Sequence, residues 1–176
     1  NKDVLTALWE TKQSGLSIGL SLSGERQVYT LEKVLNIKFD GILLFDTVQV
    51  TWNILENSTT ELLKEAKTLG MGIIVKEAMA NGRLGERNMD ADFSYKKTIL
   101  AEMAGILDST MDALALAAVL HQEWADVVLS GAANPAHLIS NLKALDLDIS
   151  DMEEELWQFR ETPSNYWKKR SSLSWN

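Results

Sequence analysis

The sequence predicts an α/β fold built from parallel βα units, and three observations predict it. Four short apolar runs, at residues 17–21, 43–50, 71–75 and 127–129, are spaced by longer segments with helical periodicity. Each run is apolar on both faces at its centre, the pattern of strands covered from both sides rather than half-exposed. This alternation continues from residue 1 to about residue 145 with no linker, which is how parallel βα units are built.

The first strand, residues 17–21, follows a helical segment and ends in Gly19-Leu20-Ser21. The second spans residues 43–50. Ser58 then precedes Glu61 at capping-box spacing, and Leu62, Leu63, Ala66 and Leu69 repeat on one face until Gly70 ends the helix. The third strand, residues 71–75, leads into a stretch from Ala80 to about Ser94 with glycines at 82 and 85 and little periodicity. It is expected to be a long loop, and loops of that length in compact domains are often functional. Ser109 and Asp112 open the next helix, which carries Leu114, Ala117, Ala118 and Leu120. After the fourth strand, Asn134-Pro135 starts a helix with proline in its first turn, expected to bury Leu138, Leu142 and Leu145. A last start, Ser150 to Glu153, leads into a C-terminal helix through Leu156, Trp157 and Phe159, which Pro163 stops.

With 176 residues and no linker, one domain is expected: βα units over about 1–148, then a C-terminal helix and tail over 149–176. Four βα units are half of an eight-stranded barrel. Alone they would leave two unpaired sheet edges and an uncovered inner face. A complete (β/α)8 barrel takes about 250 residues. The chain begins with Asn1 and no charged-then-apolar leader, so its start reads as a cut, with roughly four units expected upstream. Composition alone also allows a small doubly wound sheet.

Hydrophobic residues at 45% and charged residues at 24% are ordinary globular usage and exclude a disordered chain. A net charge of −8, with acids spread throughout, argues against nucleic-acid binding. The one basic cluster, Lys168-Lys169-Arg170, reads as a solvated tail. The absence of cysteine excludes disulfides and thiolate chemistry and fits a cytoplasmic location, with an organelle left open. No apolar run approaches the roughly 18 residues that cross a bilayer, so no membrane association is expected.

The motifs decide between the two architectures. Gly19-Leu20-Ser21 and the run Phe45-Asp46-Thr47-Val48-Gln49-Val50-Thr51-Trp52-Asn53 resemble the fifth and sixth strands of aldo-keto reductases, with their Gly-Val-Ser strand end and Phe-Asp-x-x-Gln-x-x-Tyr/Trp-Asn pattern. The segment from Gly72 through Val75, Lys76 and Ala80 to Leu84 is similar to the seventh strand and its Pro-Leu-x-x-Gly-x-Leu loop. Val128-Leu129-Ser130-Gly131-Ala132-Ala133-Asn134-Pro135, then Asn141-Leu142, resembles the eighth strand and the helix that cradles adenosine. All four stand in the family's order across nearly the whole chain. The resemblance implies a partial (β/α)8 TIM barrel: roughly the last four βα units plus C-terminal helices.

The resemblance also implies a cofactor site at the C-terminal ends of the strands, where barrels carry their chemistry. Gln49 offers a donor and an acceptor, enough to bond a nicotinamide carboxamide bidentately. Ser21 matches the serine that helps hold it, but the asparagine that usually follows is here Leu22. Lys76 stands where many relatives place an aromatic ring against the nicotinamide and others an arginine. Asn81, Gly82, Arg83 and Leu84 lie on the loop that wraps the pyrophosphate, glycine allowing close approach of backbone amides. Ser130, Gly131, Ala132 and Asn134 lead into a helix N-terminus suited to an anion. His137 falls beside a 2′-phosphate and Asn141 at the adenine edge. A histidine, near neutral at pH 7, favours NADP only weakly, so NADP is expected and NAD is possible.

The implied activity is NAD(P)H-dependent reduction of a small carbonyl compound by hydride transfer, with a tyrosine as general acid tuned by lysine, aspartate and usually histidine. Those four belong to the first half of the barrel. No catalytic residue and no metal ligand is assigned in this chain, and its expected partner is the N-terminal half of the same barrel. Two alternatives stand: a reductase-like binding or regulatory protein with little turnover, and a half-barrel that pairs with a second copy. His121, at a helix end, reads as structural, and Glu153-Glu154 as a helix N-terminal charge pair. The six tryptophans suggest packing rather than a sugar site, and Asp46 and Asp126 lack a histidine partner.

Overall fold

The computed structural model describes residues 1–173; the end of the expected tail, residues 174–176 with Trp175, lies outside them. The elements are α1 (Lys2–Gln13), β1 (Gly19–Ser21), α2 (Gln27–Leu35), β2 (Lys38–Phe39), β3 (Ile42–Leu43), β4 (Thr47–Thr51), α3 (Thr60–Thr68), β5 (Gly72–Lys76), α4 (Ser94–Ile106), α5 (Met111–Leu120), β6 (Val127–Val128), α6 (Pro135–Leu142), α7 (Glu153–Trp157) and α8 (Pro163–Ser171). Strands β1, β4, β5 and β6 form one parallel sheet in that order. Every connection between them carries at least one helix, as parallel pairing requires. The strand ends therefore gather along one edge, which positions the site.

Alternation along the strands sorts the two faces. Val48, Val50, Ile73 and Val75 are fully buried on the helix-covered face. Thr47, Gln49, Ile74 and Lys76 point the other way and are half-buried. Gly19 and Gly72 flank Thr47 on this second face, and a Cβ on Gly19 would come within 2.5 Å of Thr47 Oγ1. The sheet's outer strands expose Val127 on β6 and Gly19 and Ser21 on β1.

At the opposite end of the sheet one device occurs twice. Asp46 accepts the Ile18 N–H at 2.7 Å through Oδ2 and pairs with Lys12 through Oδ1. Asp126 likewise accepts the Ile73 N–H at 2.8 Å and pairs with Lys67. In both copies a glycine of positive φ, Gly15 or Gly70, follows the lysine and turns the chain into the strand. Burial pushes the Asp46 carboxyl up, but the bonds from Lys12 and Ile18 outweigh it and hold it below the usual carboxylate range. Asp126 is held low by Lys67 and the Ile73 N–H against a smaller effect of burial. The two aspartates fasten strand to strand far from the site.

Several local expectations are corrected. The second strand is shorter than 43–50: Ile42–Leu43 turns back on Lys38–Phe39 as a hairpin, with Asp40 and Gly41 both at positive φ, and pairing in the main sheet begins at Thr47. Ser58 does not cap α3, because its hydroxyl bonds the Glu56 carboxylate. Thr110, not Ser109, caps α5, accepting from Ala113 N. The 80–94 loop is not structureless; it holds short 3-10 turns at Ala80–Gly82 and Ala91–Phe93. Pro163 opens α8 rather than merely ending a helix, with Thr162 as its cap.

Two corrections concern burial. Leu138, Leu142 and Leu145 are 47%, 50% and 66% exposed, while Asn141 and Ala144 are buried. The apolar stripe is present, but the described chain leaves about half or more of it exposed. The basic cluster is not simply a solvated tail: Lys168 is exposed, yet Lys169 pairs with Asp90 and Arg170 is buried against Glu77. The tryptophans of the described chain pack as expected, with Trp9 stacked on Phe39 and Trp52 edge-on to Trp124 and Trp157.

Candidate functional site

Parallel register brings three expected residues together. Ser21 pairs with Gln49 across β1 and β4, and Lys76, two positions further along β5, ends the next strand. Their side chains make one hydrogen-bonded line: Lys76 Nζ donates to Ser21 Oγ at 3.1 Å, and Ser21 donates to Gln49 Oε1 at 2.9 Å. Gln49 Nε2 has no partner among the described residues and is open to solvent. The pair therefore presents a fixed amide, with a donor and a spare acceptor lone pair, on the open face. Leu22 contributes no side-chain bond; it is buried, and its N–H donates to Gln49 O at 2.7 Å.

Beyond β5 the backbone is under strain. Glu77, Ala80, Asn81 and Gly82 all have positive φ, from 49° to 84°, and three of the four are not glycine. Non-glycine residues in this region cost of order 1–3 kcal/mol each and persist where surrounding contacts hold them. Those contacts come from the C-terminal segment. Arg170 pairs bidentately with Glu77 at 2.7 and 3.2 Å. Arg83 pairs bidentately with Glu161 at 3.0 and 2.7 Å, and its guanidinium lies near the rings of Phe93 and Tyr166. Asn53 ties strand to loop and loop to α8, donating to Glu77 O and to the Tyr166 hydroxyl. Burial pushes the Tyr166 phenol up, so it stays neutral.

Of the residues expected on this loop, Gly82 is exposed and Asn81 half-buried, while Leu84 is fully buried in the core. Arg83 is a correction: it faces inward and its charge is matched by Glu161, so its guanidinium is not presented to an anion. Glu77 and Glu161 were not singled out from the sequence, and Arg170 stood only in the basic cluster read as a solvated tail. They are far apart along the chain, and the only local signal was the basic cluster at 168–170.

At the end of β6, Ser130 Oγ accepts from Ala132 N at 3.4 Å, and Gly131 has a φ of 64°. Asn134 caps α6, its side chain accepting from His137 N at 2.9 Å. His137 is half-buried in the first turn. Asn141 is buried, and its amide donates to Ser130 O at 2.9 Å, which braces the turn. His121 closes α5, with Nδ1 3.1 Å from Ala117 O. A separate hollow of about 310 Å³ lies between Ser23-Gly24 and α8, lined by Glu77, Trp167 and Arg170, and includes none of the strand-end line. Among the described residues no group of three or more His, Cys, Asp or Glu is placed to hold a metal ion, and no single helix is long and apolar enough to cross a membrane.

The model of the aldo/keto reductase family matches residues 2–158. This chain belongs to the aldo/keto reductase family. Solved aldo-keto reductases share its fold. The holo form of one from Bacillus halodurans matches with a TM-score of 0.70 and 17% identity, over 90% of this chain and 55% of that one. A thermostable aldo-keto reductase in complex with the inhibitor epalrestat matches with a TM-score of 0.64 and 21% identity, over 88% and 53%. A candidate 2,5-diketo-D-gluconic acid reductase B matches with a TM-score of 0.63 and 25% identity, over 89% and 50%. The chain thus spans about half the length of the solved aldo-keto reductases it matches. A search of curated proteins finds no match.

Proposed function

We propose that this chain is the cofactor-side, C-terminal half of an NAD(P)H-dependent carbonyl reductase barrel, with NADP as its usual cofactor and a cytoplasmic location. The observation that carries this reading is the line Lys76–Ser21–Gln49 at the ends of three adjacent parallel strands, with the Gln49 amide open toward the uncovered face. A carboxamide needs one donor and one acceptor, and Gln49 has both to offer. A reduced nicotinamide, when bound, supplies a hydride to the substrate carbonyl carbon.

Each residue then has a defined task. Gln49 holds the carboxamide, and Ser21, by donating to Oε1, fixes which way the Gln49 amide faces. The strained segment around Asn81 and Gly82, held from behind by Arg83–Glu161 and Arg170–Glu77 and by N–H bonds of Gly82, Arg83 and Leu84 within the turn, forms the wall along which the pyrophosphate runs. Ser130, Gly131, Ala132 and the Asn134-capped start of α6 receive the adenosine phosphate, with His137 in the same turn. Asn141 acts as a positioning residue for Ser130. The general acid and its partners come from the N-terminal half of the barrel. The same half covers Val127, Leu129, Leu138 and Leu142, which are 41% to 50% exposed.

The test uses the full-length natural protein. NADPH binding, followed by fluorescence titration, is expected to weaken about tenfold in Gln49→Ala, the worth of a bidentate neutral contact, with reduction of small aldehydes falling in parallel. Binding equal to that of the unaltered protein would show that Gln49 does not hold the cofactor. Buried Leu22, in place of a side-chain amide beside Gln49, favours a second reading: a cofactor-binding protein with little turnover. That protein would bind NADPH and leave every aldehyde in a broad panel unreduced.

A further inference from the structure

Lys76 carries a charge that no carboxylate among the described residues neutralises. Its ammonium reaches across β4 to Ser21 Oγ at 3.1 Å, and among the described residues it forms no ion pair. The adjacent carboxylate, Glu77, is engaged by Arg170 on two atoms. Asp46, just before β4, sits at the other end of the sheet with Lys12. A half-buried, uncompensated positive charge thus stands in contact with the serine that orients Gln49.

On the cofactor reading, on which this inference rests, that charge lies beside the nicotinamide ring. The two redox forms of the dinucleotide differ there by one unit of charge: the oxidised ring is cationic and the reduced ring neutral. The phosphates and the adenosine are the same in both. We infer that Lys76 makes the protein discriminate between redox states, binding the reduced dinucleotide more tightly than the oxidised one by repelling the cationic ring. Two like charges a few ångströms apart at a partly screened site repel enough to change affinity about tenfold. Ser21 directs the effect, because its bond to Nζ holds the ammonium over the strand ends instead of letting it swing into solvent. The consequence is easier release of the oxidised cofactor after hydride transfer and weaker inhibition by it.

The experiment measures binding, not turnover. NADPH is titrated by fluorescence and NADP⁺ by competition against it, on the full-length natural protein and on Lys76→Met and Lys76→Arg. Lys76→Met keeps the apolar stem and removes the charge; it is expected to lower the ratio of the NADP⁺ to the NADPH dissociation constant about tenfold, chiefly by tightening NADP⁺. Lys76→Arg keeps the charge and is expected to retain the ratio, which also shows that side-chain exchange here does not disturb folding. Equal shifts of both affinities in Lys76→Met, or an arginine variant that behaves like the methionine one, would overturn this inference alone. An unaltered protein that binds neither nucleotide would overturn the cofactor reading, and this inference with it.

Discussion

Glu161→Ala is expected to lower the unfolding free energy by about 3–5 kcal/mol, because it leaves a buried guanidinium without its counter-charge. Arg83 is 6% exposed, and both oxygens of Glu161 accept from it. No other carboxylate among the described residues pairs with Arg83. Lys96, which also contacts Glu161, loses its ion pair at the same time. Replacing both partners, Arg83→Met with Glu161→Met, removes the stranded charge and is expected to restore much of the loss, since an apolar pair of similar volume often replaces a buried ion pair at little cost. Urea denaturation of the three variants distinguishes the cases. A loss below about 1 kcal/mol in Glu161→Ala would place the pair in the class of surface salt bridges and remove the support assigned to the strained loop.

Trp52→Ala is expected to destabilise by a similar amount, about 3–5 kcal/mol, for a different reason. Trp52 is fully buried at the end of β4 and meets Trp124 and Trp157 edge-on, with ring centroids 5.2 and 5.7 Å away. Its indole N–H donates to Thr60 Oγ1 at 2.9 Å at the start of α3. Truncation opens a cavity where the segment after β4, the turn after α5 and the end of α7 meet. Trp52→Phe keeps most of the volume and is expected to lose less. Circular dichroism during urea unfolding measures both, and a Trp52→Ala variant as stable as the natural protein would contradict the packing described.

Much of this architecture was legible because it is set locally or by register. Asn134-Pro135 announces α6 through a cap and a first-turn proline, both decided within four residues. Ser21, Gln49 and Lys76 could be grouped from sequence because parallel strands place their C-terminal ends side by side. The illegible parts depend on contacts that sequence periodicity does not contain. Leu138, Leu142 and Leu145 mark an apolar stripe correctly, but whether a stripe is buried depends on a surface opposite it. Arg83 on a glycine-bearing loop fits an anion as well as a carboxylate, and the carboxylate that claims it lies 78 residues away. Arg170 and Glu77, 93 residues apart, escaped for the same reason. Pro163 signals a break in helical structure, and only Thr162 accepting from Asn165 N shows that a new helix begins there.

A crystal structure of the full-length protein with NADP⁺ tests the central claim most directly. The account predicts the nicotinamide carboxamide within hydrogen-bonding distance of the Gln49 side chain and the adenosine phosphate at the start of α6. Nucleotide bound away from the ends of β1, β4 and β5, for example in the hollow beside Trp167, would contradict it.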